Sequence, residues 1–211
     1  MRYVSLALIL MGALALQAPV AHAIPITFVA TLSGANEVPP TGSPGTGSAT
    51  VVLDPALHTM HVDVTFSGLI GFTTASHIHC CLPFPFDPLD NVMVATTTPT
   101  FPGFPLGVHA GTYSHDFDLT LASSYNPAFI SSPFNPSGTI AGAEAALENG
   151  IENGLTYLNV HTGPPPAGPP PAGFPGGEIR GFLVAVPEPA SLVLLGSGLF
   201  ALGVIRRRRA L

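Results

Sequence analysis

Two histidines one residue apart, in His77-Ile78-His79, are the strongest chemical feature of this chain. Side chains at i and i+2 of a strand leave the same face, so the two imidazoles stand side by side while Ile78 points into the opposite layer. A third histidine, His161, ends the run Tyr157-Leu158-Asn159-Val160-His161, where Asn159 shares its face. Two imidazoles from one strand and one from a neighbour make a three-nitrogen set suited to copper or zinc. The plainer alternative is that these histidines only hydrogen-bond to loops at strand ends. Mutual approach separates the two: imidazole nitrogens within about 3–4 Å of one another fit metal bonds of about 2 Å.

Cys80 and Cys81 follow His79 directly and are the only cysteines. Adjacent cysteines cannot staple distant segments. They form a vicinal disulfide, ligate a soft metal or act as a redox pair, or sit as small buried thiols. In an oxidising compartment the disulfide is expected, and it leaves neither sulfur as a thiolate ligand. Glu178 and Arg180 are spaced to share a strand face, and Arg180 is expected to pair with a carboxylate, Glu37 or Glu178, its planar fork tying strand to loop. Asp87, Asp90 and Asn91 offer oxygen ligands for calcium but read more simply as turn residues. No phosphate loop or nucleophile elbow is visible, and carboxylate pairs occur only at non-specific spacings. No catalytic residue is assigned, and the leading expectation is a non-enzymatic module.

These side chains need a frame, and period-two alternation supplies it. Strands are predicted over Ile26 to Leu32, Ser48 to Leu53, Met60 to Phe66, Ser76 to Cys80, Thr112 to Leu121, Thr156 to His161 and Glu178 to Val184, with a further one over Val92 to Thr97. In Met60 to Phe66, Val62, Val64 and Phe66 face one way and His61, Asp63 and Thr65 the other. Phe117, Leu119 and Leu121 are expected inward. Ala141 to Glu152 breaks the pattern: Ala145, Leu147 and Ile151 predict a short crossover helix that Gly154 ends. The stretch from Pro83 to Pro105 reads as an aromatic loop, and Gly163 to Gly177, with Pro-Pro-Pro-Ala-Gly twice, as an extended arm. About eight short strands with Gly/Pro punctuation predict an all-β fold: an antiparallel Greek-key β-sandwich, immunoglobulin-like or superoxide-dismutase-like.

Both ends are apolar. Arg2, the run Leu6 to Leu16 and Ala21-His22-Ala23 form a secretory leader, a signal helix over residues 1–23. At the other end an uncharged run from Ala190 to Ile205 rises roughly 24 Å as a helix, marginal for a hydrocarbon core of about 30 Å. Arg206, Arg207, Arg208 and Arg209 close it as a cytoplasmic stop. The body is therefore residues 24–185 and the tail 186–211. Without leader and tail, eleven acidic residues face Arg180 alone, a formal charge of −10 with histidines neutral. Nucleic acid and anionic lipid surfaces are excluded as partners.

Pro187-Glu188-Pro189, the glycine-bearing apolar run and the terminal arginines resemble the PEP-CTERM sorting signal of Gram-negative bacteria. That resemblance implies transient anchoring in the membrane, processing by an exosortase-type protease, and release to the cell surface or extracellular matrix. Leu32-Ser33-Gly34-Ala35-Asn36-Glu37-Val38-Pro39-Pro40, Gly47-Ser48-Ala49-Thr50, Ala75-Ser76-His77-Ile78-His79, Tyr157-Leu158-Asn159-Val160-His161-Thr162 and Phe174-Pro175-Gly176-Gly177-Glu178-Ile179-Arg180-Gly181 look like the CHRD domain, from about Ile26 to Val184. This implies an all-β extracellular module with no settled activity, placed in matrix or exopolysaccharide beside polymers or other surface proteins. The His-x-His strand, the later Val-His strand and the Gly-rich final hairpin are similar to copper–zinc superoxide dismutase, where His77, His79 and His161 match copper ligands by position. The pattern then departs: no bridging histidine, zinc-site cluster or long-range disulfide is found, and His109 and His115 lie in surroundings that do not match.

Overall fold

A computed structural model describes residues 24–83, 87–164, 173–187, 194–200, 202 and 206–207. The predicted leader, Phe84, Phe86, most of the proline-rich arm, Glu188, Pro189, Arg208 and Arg209 fall outside these.

Strands β1 (Ile26–Ser33), β2 (Thr46–Asp54), β3 (Thr59–Ser67), β4 (Phe72–Cys80), β5 (Gly111–Asp118), β6 (Thr156–Gly163), β7 (Ile179–Phe182) and β8 (Val184–Ala185) carry the alternating runs. All pair antiparallel, in one path β4-β6-β7-β1-β2-β3-β5, with β8 beside β1. The expected sandwich of two sheets is therefore a single sheet that curls. Inward residues from both ends of the path, Ile78, Leu158 and Val160 as well as Val62, Val64 and Phe117, join one hydrophobic cluster. The run Val92 to Thr97 forms only two isolated bridges, His79 to Val94 and Thr96 to Tyr125.

The two halves of the sheet differ in cover. On β2, β3 and β5 buried hydrophobic residues alternate with half-buried or exposed, mostly polar ones, the signature of a face turned to water. On β4 and β6 both faces are buried. One face meets the core, and the other, with His77, His79, Tyr157 and Asn159, lies under loops.

Helix α1 (Pro127–Ile130) follows an Asn126 cap that accepts the Ala128 N–H, and α2 (Ile140–Glu152) starts at Thr139, which accepts the Gly142 N–H. Gly154, at a φ of 68°, closes α2 as expected. Its buried stripe is Ala143, Leu147, Gly150 and Ile151, whereas Ala145 is exposed, because an inward stripe of period 3.6 fixed by Ala143 and Leu147 leaves position 145 opposite. Leu121 is half exposed rather than inward. The Asp118 carboxylate accepts from Thr120 N–H and hydroxyl, ending the strand in a turn, and Tyr125 fills the core there instead. Phe101 and Phe104 leave the aromatic loop for the core and pack on Tyr113.

Residues 194–200 of the tail are helical. Among the described residues no helix is long and apolar enough to cross a membrane.

Candidate metal centre

The register of β4, β6 and β7 builds the site. Across these strands His77 faces Asn159, which faces Arg180; His79 faces Tyr157, which faces Phe182; Ala75 faces His161. His161 is thus one step diagonal to His77. Ring centroids lie 5.1 Å apart for His77 and His161, and 6.0 Å for each of the other two pairs. One nitrogen from each ring falls within 4.8 Å of the others. A tetrahedral ion with 2.0–2.1 Å bonds needs about 3.3 Å between nitrogens, so any pair near the 4.8 Å limit is wider than the 3–4 Å expected above and must close to hold an ion.

Each imidazole is oriented by a different covering segment. His77 Nε2–H donates to the Pro99 carbonyl at 2.7 Å, His79 Nδ1–H to Val92 at 2.6 Å, and His161 Nδ1–H to Pro175 at 2.9 Å. Carbonyls only accept, so these contacts fix the tautomers and leave a lone pair on His77 Nδ1, His79 Nε2 and His161 Nε2. All three atoms are buried and none makes a hydrogen bond of normal geometry, although the Asn159 side chain lies near enough to the His79 ring to favour its charged form. A ring held through its other N–H is the arrangement that metal-ligating histidines adopt. Burial disfavours the charged rings, bringing His77 down to about 4 and His79 to about 3 and lowering His161; the neighbouring histidines add to the effect on His77 and His79. At neutral pH all three are neutral and able to ligate.

His79 stacks on Tyr157 at 4.7 Å, and the Arg180 guanidinium lies over the same Tyr157 ring at 4.5 Å. The expected pairing of Arg180 with Glu178 or Glu37 does not form. Arg180 donates to the carbonyls of Asn36, Pro88 and Asp90 and to Asn91 Oδ1. Its fork ties the strand to two loops, but through carbonyl and amide oxygens. Glu178 precedes β7 after the turn at Gly177, where φ is 126°, so strand alternation does not hold it. Its carboxylate accepts instead from Ser43 Oγ, the N–H groups of Ile70 and Gly71, and Thr162 Oγ1. Glu37 is buried, which raises it to about 7 despite the opposing charge of Arg180, and its Oε1 has no partner.

Cys80 and Cys81 are joined as a vicinal disulfide. It lies against α2 at Gly150, where a Cβ would come 3.0 Å from Cys81 Sγ and closer to that of Cys80. The sulfurs are on the helix side and are no part of the histidine set. His109 donates to the Leu69 carbonyl and His115 packs on Phe117; neither joins the set. Asp87 accepts the Leu89 N–H, a turn contact.

Alternation and spacing predicted the three histidines and Asn159. Glu37 as an unpaired buried acid, and the loop carbonyls that orient the rings, carried no local signal. A cleft of about 330 Å³ opens beside them, between a wall that includes Glu37, Pro39 and Thr41 and one that includes Phe174, Pro175 and Gly177.

The model of the PEP-CTERM protein-sorting motif matches residues 185–209, which marks an exported protein sorted to the cell surface and processed by an exosortase. No curated protein and no solved structure matches the chain. The model of the CHRD domain matches residues 28–183, nearly the whole sheet and all three histidines, and the chain belongs to the CHRD domain family.

Proposed function

We propose that this chain is an exported surface module, with a leader over residues 1–23, a body over 24–185 and a sorting tail over 186–211, whose body holds one copper or zinc ion on His77, His79 and His161. The observation that carries the reading is the three buried nitrogens without a hydrogen bond of normal geometry, each on a ring locked by a backbone carbonyl. A buried polar atom without a partner costs about 1–3 kcal/mol, and an ion would relieve three of them together. We assign no reaction to it. Metal analysis of protein purified without an affinity histidine tag tests the reading: about one copper or zinc per chain is expected. No bound metal, and no thermal stabilisation on adding either ion, would remove it.

A structural or adhesive role in matrix or exopolysaccharide is the second reading, and the open half of the sheet favours it. Thr31, Ser48, Thr65 and Thr112 face one another in sequence across four strands, all exposed. Strands lie about 4.8 Å apart, so this rank of hydroxyls spans roughly 14 Å across the sheet. Co-sedimentation with extracted extracellular polymer should fall when Thr31, Ser48, Thr65 and Thr112 are all changed to glutamate; equal retention would count against this role.

A further inference from the structure

We infer that the centre keeps one position for a water molecule or small monoanion, that Glu37 and Asn159 line that position, and that the cleft between residues 37–41 and 173–177 is the way in. This rests on the metal reading above.

Among the described residues no fourth histidine, cysteine, aspartate or glutamate joins the three histidines. Zinc and copper sites with three protein nitrogens complete their coordination with a small exogenous ligand. Two buried oxygens accept no hydrogen bond: Asn159 Oδ1, on the residue facing His77 and with its side chain also beside the His79 ring, and Glu37 Oε1. Both residues are more than nine-tenths buried. Their side chains converge on one point. A Cβ on Gly177 would overlap Glu37 Oε1 and come 2.8 Å from Asn159 Nδ2. Glu37 Oε1 and Asn159 Nδ2 occupy the space where a side chain at 177 would begin, so only glycine fits there, and its φ of 126° also suits glycine. The loop that carries Gly177 also carries Pro175, whose carbonyl orients His161. The cleft wall and the ring are therefore parts of one structure.

A water on the ion would donate to Glu37 Oε1 and Asn159 Oδ1. Two nearby charges act oppositely on its exchange for an anion: Arg180 favours it and the Glu37 carboxylate opposes it. Arg180 faces Asn159 across the sheet, and its guanidinium contacts carbonyl and amide oxygens but no carboxylate. The size of the cleft suits a small molecule rather than a polymer.

The test uses full-length chain loaded with copper(II) and titrated with sodium azide, read by the azide-to-copper charge-transfer band. Copper affinity is measured first. Wild type should bind copper and develop the band on adding azide. Gly176 lines the cleft and a Cβ there meets no atom within 4 Å, so Gly176→Leu narrows the entrance and should slow azide association about tenfold while leaving azide affinity within about threefold. Glu37→Gln keeps the shape, removes a negative group and offers an N–H, and should tighten azide about tenfold. Both variants should keep copper affinity within about threefold. Slower azide association in Gly176→Leu together with tighter azide in Glu37→Gln supports the assignment, since general damage to the site would weaken azide in both. Copper bound without any azide band, azide association unchanged in Gly176→Leu, or azide affinity unchanged or weakened in Glu37→Gln, overturns this inference alone. Failure to bind copper overturns the metal reading and this inference with it.

Discussion

Adding zinc to the metal-free protein should raise its melting temperature, and the rise should survive mild acid. At a free zinc concentration one hundred times the dissociation constant, a single site stabilises the folded state by about 2.7 kcal/mol. For a domain of this size each kcal/mol moves the midpoint by about 2–4 °C, so a shift of about 5–10 °C is expected. The acid behaviour follows from burial. At pH 5.5 an ordinary imidazole is about nine-tenths protonated, and three of them would cost about a thousandfold in affinity, on the order of 4 kcal/mol. Here His77, at about 4, and His79, at about 3, stay neutral at that pH. His161 is also lowered, so the whole penalty should stay below about tenfold. Scanning calorimetry at pH 7 and pH 5.5, with and without zinc, reads this directly. His77→Ala, His79→Ala and His161→Ala should each abolish most of the shift. His61→Ala serves as a control, because His61 already contacts Asp63 and Asp116 on the open face of the sheet. A zinc effect that persists in all three site variants, or that vanishes at pH 5.5 in the wild type, would refute the reasoning.

Arg180→Lys keeps the charge but cannot reproduce four contacts to two loops, and should cost about 2–4 kcal/mol in urea denaturation; a loss under about 0.5 kcal/mol would contradict the bracing role. Glu178→Gln turns an amide N–H toward groups that already donate, and a similar loss of about 2–4 kcal/mol is expected by the same measurement. The lowered His77 and His79 place more protons on the unfolded chain below pH 6.5, so metal-free stability should fall as pH drops from about 6.5 toward 4 and 3. Glu37, raised to about 7, acts oppositely: its share is lost as pH rises from 4.5 through 7, and Glu37→Gln should flatten that limb of a pH–stability profile. Replacing Pro187-Glu188-Pro189 by alanines should leave the protein uncut in the membrane fraction, and normal release of that variant would exclude sorting by this motif.

Strand existence was legible because one face of each open strand is apolar and the other polar; Val62, Val64 and Phe66 against His61, Asp63 and Thr65 is a plain case. The facing of His77 with His79, and of Asn159 with His161, follows from the same period of two. What periodicity cannot carry is which strands are neighbours, and so the convergence of His161 on His77 appears only with the register. Loop contacts were the least visible. Arg180 found carbonyls of residues 36, 88 and 90 rather than an acid, because the covering loops bring many backbone acceptors into a layer with little water. Helix α1 escaped notice although Asn126-Pro127 carries a start signal, a cap followed by proline in the first turn.

Strand β8 sets the reach of the body before processing. Phe28 and Val29 pair with Ala185 and Val184, and the Val186 N–H donates to the Thr27 carbonyl, so the sheet grips the chain up to the edge of the matched sorting segment. From Ala185 to the start of the apolar run at Ala190 the leash is at most about 17 Å when fully extended. Processing of this segment would therefore take place within a few residues of the folded sheet. Val186 lies beside Thr27 at the start of β1, so both ends of the described sheet leave the domain from the same side.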